Sequence, residues 1–204
     1  ERLDVMKTAF INGVSSHIFD YDDTHLKTII HPAGPVASSA MALAEYLGQV
    51  RGQPVTGSEL LHALVLGMDI ECRIGNAVYP NHYDIGWHIT GTAGPFGSAV
   101  AAGKLLGLSE QQMVWALGMA ASQPVGLRES FGSMNKSFNP GRAAENGLFA
   151  ALLASQNFTS SEGMLEAPRG WGRTISTKQD WNEVTEGLGS RFESALNTYK
   201  PFAC

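Results

Sequence analysis

Charge and cysteine are both scarce in this 204-residue chain: 16% of residues are charged and only two are cysteines. Cys72 and Cys204 cannot build a disulfide framework, and no CxxC or Cys/His cluster has zinc-ligand spacing. That usage predicts a reducing, cytoplasmic setting. Basic residues are outnumbered, 14 Lys+Arg against 19 Asp+Glu, for a net charge of −5. This balance argues against nucleic acid or an anionic membrane surface as a partner. Long apolar runs are missing as well. The most charge-poor stretch, 85–103, holds Trp87, His88, Pro95 and several glycines. It falls short of the ~20 strongly apolar residues of a membrane span. The start, Glu1-Arg2-Leu3-Asp4, has no initiator Met and no apolar signal segment. No repeat, Gly/Ser tract or collagen-like period is visible.

What the chain does have is small residues. Glycine and alanine number 23 each, within a composition that is 44% hydrophobic. Spread through apolar segments, they predict helices packed closely, backbone to backbone. The apolar periodicity is helical nearly throughout. Helices are expected at about 3–19, 36–51, 58–78, 90–106, 109–122 and 139–156. Thr56 with Glu59 and Ser109 with Gln112 read as capping boxes. Asn139-Pro140 reads as an N-cap and first helical residue. Beyond Asn157 the pattern breaks into loops around short helices, and 195–204 is expected to begin a strand of another domain. The fold class is all-α.

Three polar segments interrupt these apolar runs. Asp20-Tyr21-Asp22-Asp23-Thr24-His25 and His31-Pro32 form an acidic, histidine-bearing loop. Carboxylates so close repel one another and need cations nearby if they are buried. His88 stands at the mouth of the Gly/Ala-rich helix, and Lys136 lies beside a helix N-terminus, where amides and the macrodipole favour an anion. Taken singly, each has a plain structural reading: a solvated loop, a hydrogen-bonding histidine, a surface lysine. The spacing Asp20-x-Asp22-x-Thr24 also fits the first motif of haloacid-dehalogenase-type phosphotransferases, which must end a buried strand of a parallel sheet. EF-hand and terpenoid-synthase motifs fail on His25, His31 and Leu26. Should the loops converge, His, Lys and Asp with helix-terminal amides would suit a small polycarboxylate and general acid–base chemistry. A non-catalytic helical interaction module is the other reading, and it predicts loops too far apart to meet.

In order and spacing, Asp20-Tyr21-Asp22-Asp23-Thr24, His31-Pro32-Ala33-Gly34, Gly86-Trp87-His88, and Lys136 followed by Gly141-Arg142-Ala143-Ala144-Glu145-Asn146-Gly147 closely resemble the MmgE/PrpD family. The resemblance implies a helical-bundle domain over 1–194, truncated at its N-terminus, and at 195–204 the start of an α/β lid domain that is otherwise missing. It implies a homodimer, no cofactor and no metal. The implied activity is that of a lyase on a small di- or tricarboxylic acid, first of all 2-methylcitrate dehydration, which would place the protein in propionate metabolism. Cis-aconitate decarboxylation and iminodisuccinate epimerisation are the alternatives within the family. By motif, catalytic positions fall on Asp20, His31, His88 and Lys136, and substrate-binding positions on Thr24 and Lys200. His31 or His88 would act as base or acid, oriented by Asp20, while Lys136, Lys200 and helix-terminal amides clamp carboxylates. Asn139 stands where many members have a histidine. With the lid's histidine and tyrosine absent, this chain alone is expected to be inactive.

Overall fold

The computed structural model describes residues 3–202, and Cys204 lies outside them. The helical periodicity is realised as α1 (Val5–His17), α2 (Ala33–Gln49), α3 (Gly57–Val78), α4 (Asn81–Ile85), α5 (Ile89–Leu106), α6 (Glu110–Ala121), α7 (Asn135–Ser155), α8 (Trp171–Ile175) and α9 (Asn182–Thr185). No helix among the described residues is long and apolar enough to cross a membrane.

Helix α5 is the hub. It is buried from Ile89 through Gly103 and packs against α2, α3, α6 and α7. Small residues make that possible: a Cβ on Gly147 of α7 would lie 2.4 Å from the Pro95 carbonyl oxygen of α5, so the two backbones touch. Around this contact, Phe96 meets Trp171 edge to face at 5.0 Å, with Ile74, Val78 and Ile175 in the same apolar cluster. Burial of side chains this size contributes roughly 1.5–3 kcal/mol each. Both capping boxes form as the sequence predicts, Thr56 with Glu59 and Ser109 with Gln112.

Two features depart from the sequence reading. Helix α7 begins at Asn135, four residues before the expected N-cap, and carries Pro140 inside it. The reason is that the Asn139 side chain is not spent on a cap: its amide donates to His88 and Ser130. The acidic loop, in turn, contains a short strand, β1 (Asp23–His25), paired antiparallel with β2 (Asn197–Tyr199), Asp23 opposite Tyr199. A strand was expected near 197, and the one formed there pairs with this loop.

What holds β2 in place is α3. Arg73, fully buried, donates from Nε to Asp69 (2.7 Å) and from its guanidinium to the carbonyls of Val184, Glu186 and Arg191. Asp69 accepts from the Glu193 amide at 2.6 Å, and Asn76 and His25 both hold the Glu193 carboxylate. The segment after α9 is thereby strapped across α3, which delivers β2 and Lys200 to the acidic loop.

Candidate active site

The acidic loop begins where α1 ends. Asp20 takes up the left-handed region (φ 58°), tolerable for aspartate, and turns the chain back toward α2. In the strand that follows, side chains alternate between two faces. Asp22 and Thr24 point one way, to His17, His31 and Lys200. Asp23 and His25 point the other way, to Asn197 and Glu193.

On the first face lies a compact ion cluster. Lys200 Nζ stands 2.8 Å from Asp20 and 2.6 Å from Asp22, and Lys136 Nζ is 3.3 Å from Asp20. Burial pushes the Asp20 carboxyl up, yet the hydrogen bond from Lys200 and the charges of both lysines outweigh it and hold the group below its usual range. Asp22 is likewise held far down against burial by His17, His31 and Lys200. Lys200 responds in kind: burial opposes its charge, but Asp20 and Asp22 raise the ammonium above its ordinary value. Asp20, Asp22 and Lys200 thus stay ionised together.

The histidines sit beside this cluster. The ring of His17 lies 4.8 Å from that of His31 and 6.4 Å from that of His88. His31 Nδ1 is 2.9 Å from the Asp23 carbonyl, 3.2 Å from Thr24 Oγ1 and 3.3 Å from Asp22. His88 occupies the N-cap position of α5 but makes no side-chain cap, so its ring is free for other work. Burial, above all, drives its pKa well below 6.5. Gly126 lets the loop before α7 come close: its φ is +100°, and a Cβ there would strike Asn139 at 2.7 Å.

Asp20, Thr24, His31, His88, Lys136 and Lys200 line one cavity of about 410 Å³, whose other walls include Leu26, Ile29, Tyr83 and Phe131. All six residues singled out in the sequence are therefore brought together, from α1's exit, β1, α5, α7 and the end of β2. The MmgE/PrpD N-terminal domain model matches residues 1–184. The chain belongs to the MmgE/PrpD family. Cis-aconitate decarboxylase of Aspergillus terreus is 32% identical over all of this chain and 43% of its own length. The human cis-aconitate decarboxylase is 35% identical over 84% of the chain and 35% of its own length. A cis-aconitate decarboxylase-like protein of Aspergillus oryzae is 32% identical over 96% of the chain. The chain spans less than half the length of these curated relatives.

Within this MmgE/PrpD domain the structure corrects three expectations. Asp20 does not orient His31 or His88; it pairs with the two lysines, and the carboxylate against His31 is Asp22. The first amides of α7 are no anion cradle, because Lys136 and Ser137 donate theirs to the carbonyls of Ser133 and Met134. The phosphotransferase alternative fails, since Asp20 follows a helix and the sheet beside it is a two-stranded antiparallel one. Sequence reasoning also passed over His17 and Asp22. The signal for Asp22 was the strand alternation that groups it with Thr24; for His17 it was a histidine in the last turn of the helix entering the acidic loop. His17, Asp20, Asp22 and His31 bring ligand atoms within 4.8 Å of one another, the donor set of a metal site. Lys200 already pairs with both carboxylates, so a divalent ion would have to displace an ammonium to enter.

Proposed function

We propose that this chain forms the helical half of a cofactor-independent lyase acting on a small di- or tricarboxylic acid. The observation that carries the reading is one cavity in which two lysines and two histidines meet beside Asp20 and Thr24, with Leu26, Ile29 and Phe131 among its other walls. A polycarboxylate entering it exchanges water for ammoniums that Asp20 and Asp22 hold in position. Electrons released toward a substrate carboxylate, by loss of a proton or of carbon dioxide, gather next to Lys136 and Lys200, where preorganised positive charge lowers the barrier. Thr24 adds a hydroxyl, and His31 and His88 present imidazoles to the same cavity. On this reading 195–204 begins a smaller second domain, and the whole protein is a homodimer.

Among the family's reactions, cis-aconitate decarboxylation has the most support, because that name is carried by the relatives matched over most of the chain. In it the bond to one carboxylate breaks, carbon dioxide leaves, and the electron pair left on the carbon skeleton takes up one proton. Dehydration of 2-methylcitrate, the activity first expected from the motifs, needs the same lysines but also a base and loss of hydroxide as water. The test offers the full-length protein cis-aconitate, citrate, 2-methylcitrate and iminodisuccinate and follows each by NMR. Turnover of cis-aconitate, lost in Lys136→Ala and His88→Ala, is expected. Turnover at wild-type rate in both variants would sink the site.

A further inference from the structure

Protons on imidazole nitrogens are fixed by what each nitrogen faces. Ser130 Oγ donates to the Leu127 carbonyl at 2.7 Å, which uses its only proton. Toward Asn139, 3.2 Å away, that oxygen can only accept, so the nearer Asn139 atom must be the amide nitrogen. The same nitrogen lies 2.8 Å from His88 Nδ1, which must therefore accept as well. The other ring nitrogen, Nε2, has no partner among the described residues, and His88 lines the cavity. His31 has the opposite arrangement: its Nδ1 faces a backbone carbonyl at 2.9 Å, which cannot donate, so Nδ1 carries a proton and exchange is left to Nε2.

We infer that Asn139, anchored by Ser130, is a positioning residue that holds His88 as the neutral Nε2–H tautomer. This rests on the polycarboxylate reading of the cavity and divides its histidines. His88 presents a hydrogen-bond donor to the substrate's developing negative charge and has no lone pair there to act as a base. Proton exchange with the substrate falls to Nε2 of His31. A neutral donor next to Lys136 suits a site where a third positive charge would hold the product carboxylates too tightly. The ionisable groups around His88 are His17, His31, Lys136 and Asp20.

Long-range proton–nitrogen NMR on the chain with ¹⁵N-labelled histidine reads the tautomer without any turnover, the His88 signals being assigned by their loss in His88→Gln. A non-protonated Nδ1 and a protonated Nε2 are expected near neutral pH. Asn139→Asp replaces the donor by an acceptor and should move the proton to Nδ1. Ser130→Ala, a milder change, frees the amide to turn over and should give a mixed signal. A protonated Nδ1 in the wild type, or tautomers unchanged in both variants, would overturn the inference. In the full-length protein Asn139→Asp should lower kcat by roughly 10²-fold, the usual cost of losing one charge-stabilising donor, with KM less affected. The expected NMR pattern in a protein that turns over no polycarboxylate would reject the functional reading and leave the tautomer assignment standing.

Discussion

Two polar clusters flank the short strand β1, both holding aspartate and histidine and separated by one step of its alternation. On one side Arg73, Asp69, Asn76, His25 and Glu193 form a closed set, in which charges are met by the chain's own groups. On the other, Asp20, His31, His88, Lys136 and Lys200 line a cavity, with Asp22 paired to Lys200, and Nε2 of His88 has no partner among the described residues. The difference teaches that histidines and carboxylates in company do not by themselves mark a site. Unspent hydrogen-bonding capacity facing a space does. His82 makes the same point: equally buried, it uses both ring nitrogens, against the Ile175 carbonyl and Thr92, and is structural.

The contrast is open to breakage. Arg73→Met should have the largest effect on stability, because it leaves Asp69 charged and buried; removing one member of a buried pair costs about 3–5 kcal/mol. Urea denaturation would measure it beside His88→Gln, where a loss under about 1 kcal/mol is expected, since His88 spends only one hydrogen bond on the fold. Equal losses would erase the distinction between the clusters.

A finer test lies at Asp23, the neighbour of Asp22 that faces the closed side. Its carboxylate accepts from the Ala33 amide and from Asn197, and burial pushes its pKa up to about 6 from 3.8. A carboxyl raised on folding stabilises the fold fully below its unfolded value, and that contribution is lost as pH rises through about 6. On the order of 3 kcal/mol is at stake. In Asp23→Asn this pH dependence should vanish, with Asn197 turning its unpartnered carbonyl oxygen to the new amide. Denaturation midpoints between pH 4 and 7 would show it; a variant much weaker than wild type at pH 7 would mean that the ionised form is required. A small effect is also expected from Ser109→Ala, which removes a helix cap outside both clusters. About 1 kcal/mol should go, read from a thermal melt, with the histidine spectrum unchanged.

Much of this was legible in the residues. The helices with strong apolar periodicity and both capping boxes were readable because their causes are local. The six cavity residues were picked out by motif order and spacing. Less legible were those whose meaning depends on distant partners. Asn139-Pro140 has the local signature of a helix start, and only the approach of His88 and Ser130 draws the asparagine away and lets α7 begin at Asn135. Arg73 sits mid-helix with nothing nearby in sequence to announce the carbonyls of 184–191.

By itself the sequence determined a charge-poor, largely helical chain with three polar interruptions, because periodicity, caps and small-residue content act within a few turns of each residue. Tertiary structure decided what those groups are. It paired Asp20 with lysines rather than histidines, set Asp22 and Asp23 on opposite sides of one strand, and left one nitrogen of His88 open. Those outcomes depend on distances between segments up to 180 residues apart, fixed only when the helices pack and the strap after α9 closes over α3.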